Sequence, residues 1–301
     1  MNIMRISQWS EFWRRLQRQP AWLRWGFFWL PTATGFVLLL ASLTYLYEVK
    51  AARPALAFSG VPKIDQAWSK MAHVLRNEAF LVGYSETLKN PLWVGYWVTD
   101  QTQRFGKRPR FEADWRTLSY VHYHDYTGSN YNRGHLAPNY LIGSRYGRHA
   151  QKETFLMSNI TPQKPRFNQK IWQRLEEVSA DKFTQHFQRF YVVTGPVFDD
   201  EPKTLRNRDG DTDIAIPNAF YKIFIRPTQD GTPSALAFLM PQDAPPRASL
   251  SDYVTSIDAI EARTQIDFFH ALPDEIEDRI EASSDPKAWH LHRYANLPPR
   301  Y

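Results

Sequence analysis

Asn132-Arg-Gly-His-Leu-Ala-Pro138 is the most informative segment of the sequence. It places an arginine and a histidine two residues apart around a glycine. On an extended chain, residues i and i+2 point to the same side. Arg133 and His135 are therefore expected to face one ligand, while Gly134 leaves room for a neighbouring backbone. An imidazole with a pKa near neutrality can take a proton from water, and an arginine can clamp a phosphate.

Two further motifs follow, Phe155-Leu-Met-Ser-Asn-Ile-Thr-Pro-Gln163 and Asn168-Gln-Lys-Ile-Trp-Gln-Arg-Leu-Glu176, and the second is predicted to be helical. On an α-helix, the spacing from Asn168 to Glu176 is about 80° of net rotation and about 12 Å of rise. Both side chains can face one cleft, but they cannot readily chelate one ion directly. A carboxamide oxygen and a carboxylate two turns apart suit a hard cation that keeps most of its waters, as Mg²⁺ does.

The rest of the chain alternates strand-like and helix-like segments, without regular crossover helices between the strands. This pattern predicts an α+β fold with a mainly antiparallel central sheet. The Pro-rich C-terminal end is expected to be loosely packed. Aromatic and β-branched runs predict strands over residues 93–99, 155–160, 190–194, 219–225 and 235–240. Apolar periodicity predicts a helix over 168–187, a shorter helix is expected over 256–264, and the acidic segment 274–282 is expected to be helical, with a solvated surface segment as the alternative.

Composition excludes several classes of protein. The 301 residues are 43% hydrophobic and carry a net charge of +6, which excludes wholesale disorder. The absence of cysteine excludes a disulfide framework, a catalytic cysteine and a Cys-ligated zinc site. Residues 102–174 hold thirteen Lys and Arg against four acidic residues, and this basic block predicts a phosphate-binding face.

The N-terminal region is typical of a membrane anchor. Residues 25–47 form a run of 23 without a formal charge, roughly 35 Å of helix and enough to cross a hydrocarbon layer. Because the arginines precede this run, the positive-inside rule places the N-terminus in the cytoplasm. The alternative is a cleaved signal peptide, with Ala55-Leu-Ala57 as a small-x-small cleavage site.

Together with Val193-Thr-Gly-Pro-Val197 and Ile216-Pro-Asn-Ala-Phe-Tyr-Lys222, the three motifs resemble the DNA/RNA non-specific endonuclease family, the ββα-metal nucleases. The resemblance runs from about Asn90 to Pro273. It implies a ββα-metal nuclease core, a metal-dependent hydrolysis of phosphodiester bonds in DNA and RNA, and Mg²⁺ as the cofactor, with Mn²⁺ as the alternative ion.

The resemblance also implies roles for individual residues. His135 would be the general base that activates water, and Asn168 would be the direct ligand of the hydrated metal. Glu176 would hold a metal-bound water. Arg133 and an upstream arginine that best matches Arg110 would bind the substrate phosphate and neutralise its charge. Asn159 would also belong to the substrate-binding residues and support the site.

One position departs from the family pattern, which usually has Asp where this chain has Asn132. Asparagine keeps the shape and an acceptor but loses the charge. The sequence therefore leaves open a weakened module that binds nucleic acid without efficient cutting, and a phosphodiesterase for small diesters. The assignment of Arg110 is likewise open, because Arg104, Arg108 and Arg116 are nearby.

The predicted organisation is a basic cytoplasmic tail (1–24), a transmembrane anchor (25–47), a linker with a short helix over 64–75 (48–75), the nuclease domain (76–275) and a C-terminal tail (276–301). The nuclease domain would then be periplasmic or otherwise extracytoplasmic, with the mitochondrial inner membrane as the alternative address. DNA and RNA are the expected substrates and the lipid bilayer is the expected contact of the N-terminal helix. A homodimer is an assembly that the sequence leaves open.

Overall fold

The computed structural model describes residues 14, 15, 17–65, 70–228 and 231–298. The chain divides into two compact units, Met1–Ala52 and Arg53–Tyr301. In the first unit, helix α1 (Ala21–Tyr47) is followed by a π-helical turn, Glu48–Ala52. The side chains of residues 33–47 are exposed. Among the described residues, one helical stretch, Ala33–Leu56, is long and apolar enough to cross a membrane, with a mean hydropathy of 1.3.

The second unit contains short helices and the β-strands. Its described helices are α2 (Arg53–Leu56), α3 (Asn139–Glu153), α4 (Gln173–Glu177), α5 (Ile257–Thr264) and α6 (Asp274–Glu281). Its described strands are β1 (Lys63–Ile64), β2 (Ala72–Arg76), β3 (Phe80–Ser85), β4 (Asn90–Thr99), β5 (Asn132–His135), β6 (Ile160–Gln163), β7 (Arg189–Val197), β8 (Thr204–Asn207), β9 (Gly210–Ala215), β10 (Ala219–Arg226), β11 (Ser234–Pro241), β12 (Val254–Thr255) and β13 (Ile266–Asp267).

A seven-stranded sheet within the described chain has the order β12-β11-β10-β7-β4-β3-β2. Every adjacent pair in it is antiparallel. Strands β5 and β6 form a separate antiparallel pair. A continuous helical stretch follows β6, in which α4 lies between π-helical turns and a 3₁₀ turn ends the stretch at Gln185. We call residues 167–185 the site helix. The predicted antiparallel α+β fold is confirmed.

Both faces of the central sheet are buried, because alternate residues of each strand point to opposite sides. On β10, Phe220 and Phe224 belong to a core that includes Ile171 and Trp172 of the site helix. Their neighbours Tyr221 and Ile223 belong to a second core, which also contains apolar residues of α5 and α6. The site helix and the α5–α6 pair therefore cover opposite faces of the sheet.

The C-terminal segment is part of the packed domain, so the expectation of a loose end is wrong. Trp289 is fully buried, and its ring lies 5.2 Å from the ring of Phe183 and 5.6 Å from that of Phe190. Leu291 and Ala295 are also buried in the same core. Prolines restrict the backbone here, but the bulky side chains between them still reach the sheet.

Two other local predictions are corrected. The short helix over 64–75 is not formed where the structure describes it, because Ile64 pairs in β1 and Ala72–Arg76 forms the edge strand β2. Trp68, which belonged to that predicted helix, lies outside the described residues. The strand predicted over 155–160 begins only at Ile160, since Met157–Asn159 is a 3₁₀ turn.

Candidate active site

The β5–β6 pair places the two residues of the Arg-x-His motif. Residues of β5 alternate in direction, so Arg133 and His135 line one cavity while Gly134 faces away from it. Gly134 pairs with Thr161 and lies against the side chain of Gln163. A Cβ atom on Gly134 would lie 2.2 Å from Cδ of Gln163, so only glycine permits this close approach.

The cavity has a volume of about 420 Å³ and lies between β5, the start of α3 and the site helix. Arg133, His135, Asn168 and Glu176, which the sequence predicted to act together, all line it. The further polar residues along its wall are Arg108, Asn139, Tyr140, Gln169, Gln173, Glu177 and Asp181.

His135 is held among aromatic rings. Its ring centroid lies 4.7 Å from that of Phe155 and 5.5 Å from that of Phe111. Burial, with a smaller effect from the positive charge of Arg108, lowers the pKa of His135 to about 3. Its Nε2 atom is buried and has no hydrogen-bond partner among the described residues. The imidazole is therefore neutral at pH 7, and in the metal-free protein its pKa lies well below the near-neutral value expected from the sequence for a proton acceptor.

The guanidinium of Arg133 is fixed by the loop before β5. Its Nε and Nη2 atoms donate hydrogen bonds of 2.9 and 2.5 Å to the carbonyl oxygen of Tyr123, and Nη2 also lies 3.1 Å from Oγ1 of Thr127. The guanidinium carbon lies 5.8 Å from the ring centroid of Tyr126. A fixed positive group beside the imidazole can hold a phosphate oxygen with little loss of side-chain entropy.

The upstream arginine in the cavity is Arg108, and Arg110 is exposed and is not part of the cavity wall that the structure describes. The guanidinium carbon of Arg108 lies 5.4 Å from the ring of Phe155, which also contacts His135. Arg116 is committed elsewhere, since Nη2 lies 2.7 Å from Oδ2 of buried Asp114. The segment around these arginines has no regular structure, so its sequence does not encode which side chain turns inward.

Lys222, a residue that the sequence did not single out, forms a buried ion pair with Glu176. Lys222 is fully buried on β10, and its Nζ lies 3.9 Å from Oε1 of Glu176 and 4.5 Å from the ring centroid of Trp172. Burial raises the pKa of Glu176, and the positive charge of Lys222 opposes that rise. In the sequence, this pairing was indicated only by a single lysine within the otherwise apolar residues of β10.

The donor set on the helix side of the cavity fits a hard cation. It consists of the Asn168 amide and the Glu176 carboxylate, with Glu177 and Asp181 on the same wall. Oε1 of Gln173 is buried and has no hydrogen-bond partner in the part of the chain that is described. All these donors are oxygens, which suits Mg²⁺ or Mn²⁺. Three carboxylates would repel a phosphate unless a cation lay between them.

Asn159 supports the site from inside the protein instead of contacting substrate. It is fully buried, and Oδ1 accepts a 2.9 Å hydrogen bond from the backbone N–H of Ala137. Its amide nitrogen donates to the carbonyl oxygens of Ala137 at 3.1 Å and Thr154 at 2.8 Å. These bonds fix the turn between β5 and α3, so the prediction that Asn159 binds substrate is corrected to a positioning role.

The basic block contributes less free charge than its composition suggests. Arg145 donates to the carbonyl oxygen of Ala180 at 2.8 Å. Arg174, which is 2% exposed, donates to the carbonyl oxygen of Leu297 at 3.0 Å. These guanidinium groups hold the backbone in place. The exposed cations of the block are Arg104, Lys107, Arg108, Arg110, Arg148, Lys152, Lys164 and Arg166.

Comparison with known proteins agrees with this geometry. A family model described as DNA/RNA non-specific endonuclease matches residues 66–275. Human "Endonuclease G, mitochondrial" is 31% identical over 219 residues, which cover 68% of this chain and 70% of that protein. The nuclease of Serratia marcescens is 30% identical over 215 residues, with coverages of 68% and 77%.

The fold is also similar to a solved structure. The crystal structure of the EndoG/EndoGI complex matches with a TM-score of 0.56, covering 72% of this chain and 90% of that chain at 23% identity. Fold, cavity and relatives define a metal-dependent nuclease that acts on phosphodiester bonds. The chain belongs to the DNA/RNA non-specific endonuclease family, as its motifs predicted.

We expect the His135 ring to stay neutral at about pH 5 in metal-free protein, because a pKa lowered to about 3 lies well below the ordinary histidine value. Histidine ring-nitrogen shifts measured by NMR across an acid titration check this. Since burial is the larger cause, Arg108→Ala should raise the pKa of His135 only part of the way. A ring that is half protonated near its ordinary value would contradict the prediction.

Proposed function

We propose that this protein is a membrane-anchored, Mg²⁺-dependent endonuclease that cleaves DNA and RNA without sequence preference, with His135 as the general base. The observation that carries the proposal is the convergence of His135, Arg133, Asn168 and Glu176 on one cavity. The family resemblance gives each of these residues a different role in cleavage. They can act on one phosphate only if their side chains line the same cavity.

In the proposed mechanism, neutral His135 takes a proton from a water molecule as that water attacks the phosphorus. Arg133 and Arg108 stabilise the negative charge that develops on the phosphate oxygens. The bond from phosphorus to the leaving oxygen then breaks. Asn168 would hold the metal ion directly and Glu176 through water. When bound, the ion supplies positive charge and an acidic water for the leaving oxygen.

Cleavage without sequence preference is supported by the kind of groups in the cavity. Arginines that contact phosphates carry no sequence information by themselves, because the backbone of nucleic acids is uniform. Asn132, the position that departs from the family pattern, is not among the described residues that line the cavity. Its lost charge is therefore not placed against the reacting groups, which favours an active enzyme over a weakened binding module.

The cleavage test uses plasmid DNA and RNA with purified full-length protein in detergent. We expect His135→Ala to lower the rate by about 10²–10⁴-fold, because the general base is lost. Asn168→Ala should lower it by about 10–100-fold or more through weaker metal binding. Chelator should abolish cleavage and added Mg²⁺ should restore it. The matched control is His292→Ala, which removes an exposed histidine outside the cavity and should cut normally.

The same assay separates the other readings of the sequence. Tight binding of plasmid without cutting by the wild-type protein would support a binding module and contradict the nuclease. Hydrolysis of small diesters with no effect on plasmid or RNA would instead indicate a phosphodiesterase. Full activity in His135→Ala would remove the proposed general base, provided that the variant unfolds at the temperature of the parent.

A second test compares two neighbouring arginines. We expect Arg108→Ala to lower kcat by about tenfold or more, because Arg108 lines the cavity and stabilises developing charge. Arg110→Ala, which removes the same charge from an exposed position, should change kcat by less than about twofold. Steady-state kinetics on one substrate at fixed salt measure both. A larger loss for Arg110→Ala would contradict the placement of Arg108 as the upstream arginine.

The membrane part of the proposal rests on α1 and on the charge that precedes it. A helix of 27 residues whose described side chains are exposed matches the length and character of a bilayer span. The arginines before it favour a cytoplasmic N-terminus, which would place the nuclease unit on the extracytoplasmic side. The mitochondrial inner membrane is the alternative address, and the human relative is named as mitochondrial.

We expect the full-length chain to remain in membranes after alkaline carbonate extraction. We also expect protease added to the extracytoplasmic side of the membrane to digest the nuclease unit. Leu39→Arg, which places a charge near the middle of the apolar run, should reduce insertion because it costs about 2.5–3.5 kcal/mol. The control is Leu118→Arg, which adds the same charge at a side chain that is 80% exposed in the nuclease unit and should leave membrane insertion unchanged. A soluble product that lacks the N-terminal residues would indicate a cleaved signal peptide instead.

A further inference from the structure

A second cluster of charged residues lies on the face of the central sheet opposite the catalytic cavity. Asp258 and Glu261 belong to α5 and Glu281 ends α6. One carboxylate oxygen from each residue lies within 4.8 Å of those from the other two. The apolar side of these helices packs into the core that faces away from the site helix. The cluster is therefore separate from the residues proposed to hold the catalytic ion.

Glu281 gives the cluster a feature that acidic surface patches do not have. The residue is only 6% exposed, and its Oε1 atom is buried without a hydrogen-bond partner in the described structure. Burying a carboxylate without a hydrogen bond or a countercharge is costly. The Oε1 atom of Glu281 therefore lacks the partner that its burial requires.

The surrounding charges do not supply that partner. Asp267 and Glu277 also lie near Glu281 and Glu261, and both add negative charge. The ammonium group of Lys63 is directed to another carboxylate, since its Nζ lies 3.8 Å from Oδ2 of Asp267. One oxygen of Glu261 accepts a 2.8 Å hydrogen bond from the backbone N–H of Phe268, which fixes the orientation of that carboxylate.

We propose that Asp258, Glu261 and Glu281 form a binding site for a hard divalent cation, with Ca²⁺ as the preferred ion, that joins α5 to α6. The donors are all carboxylate oxygens, without a sulfur or imidazole ligand, and Ca²⁺ prefers such ligands in a flexible geometry. The ion supplies the positive charge that the buried Glu281 lacks. Because it joins two helices, its binding stabilises the folded protein and takes no part in phosphodiester cleavage.

A shared proton is the competing explanation. Burial and the neighbouring acidic groups raise the pKa of Glu281 to about 8 and that of Glu261 to about 7. A proton held between these carboxylates would relieve the same repulsion without a metal. The two explanations differ in the effect of added Ca²⁺, so the experiment measures binding and stability directly.

The experiment uses the full-length protein in detergent, stripped of metal and carrying Asn168→Ala to weaken the catalytic metal site. Calorimetric titration with CaCl₂ at neutral to mildly alkaline pH should show a single saturable site, and Ca²⁺ should raise the Tm. Adding Glu281→Gln should lower the Ca²⁺ affinity at least about tenfold, because a charged ligand is lost. Without Ca²⁺ that variant should be at least as stable as its parent, since the amide removes a like charge.

The exposed group of Glu78, His149 and Glu153 provides the matched control. Its members are already paired, because His149 Nδ1 bonds to the carboxylate of Glu78 and Oε2 of Glu153 accepts the backbone N–H of Glu78 at 2.7 Å. Glu78→Gln should therefore leave the Ca²⁺ affinity and the Ca²⁺-dependent rise in Tm unchanged.

Three results would overturn the proposal. The first is no saturable binding of Ca²⁺, and the second is equal binding by Glu281→Gln and its parent. The third is a loss of stability with rising pH that is the same with and without Ca²⁺, which would assign the site to a shared proton. None of these readouts uses nuclease activity, so failure here is distinguishable from failure of the proposed cleavage reaction.

Discussion

The buried ion pair between Lys222 and Glu176 is the constraint on which the site depends. Lys222 lies in the middle of a strand with apolar neighbours on both faces, so its ammonium group needs a negative partner close by. Glu176 supplies that charge from the site helix, whose apolar residues Ile171, Trp172 and Leu175 pack against the same face of the sheet. Removing one member of a buried pair typically costs about 3–5 kcal/mol, because the other charge is left unpaired.

The packing of the site helix against the sheet brings Asn168 to the same cavity as His135. The β5–β6 pair meets the site helix with Arg133 and His135 on the inner side, and the close contact of Gly134 with Gln163 keeps the two strands in register. The cavity is consequently polarised. One wall carries Arg108, Arg133 and His135, and the other carries carboxylates and amides of the site helix. A phosphate can approach the second wall only with a cation between them, and this explains in physical terms why a nuclease of this form is metal-dependent.

The arginines of the central basic block divide into two groups with different consequences. Those directed inward, such as Arg145 and Arg174, donate to backbone carbonyl groups and hold separate segments together. Others, such as Arg104 and Arg110, have exposed side chains, and exposed positive charge attracts nucleic acid over a longer range. A count of charges along the chain does not distinguish these groups, so composition overstates the positive charge that the block exposes.

The sequence by itself determined the strands with clear alternation, the site helix and the pairing of Arg133 with His135, because these depend on local periodicity. It also determined the family, through several motifs in a fixed order. Tertiary structure decided that Arg108 and not Arg110 enters the cavity, that Asn159 holds backbone, and that Trp289 is buried. It also decided the pairing of Lys222 with Glu176. These features depend on the path of irregular segments and on contacts between residues far apart in the chain, and no local repeat in the sequence encodes either.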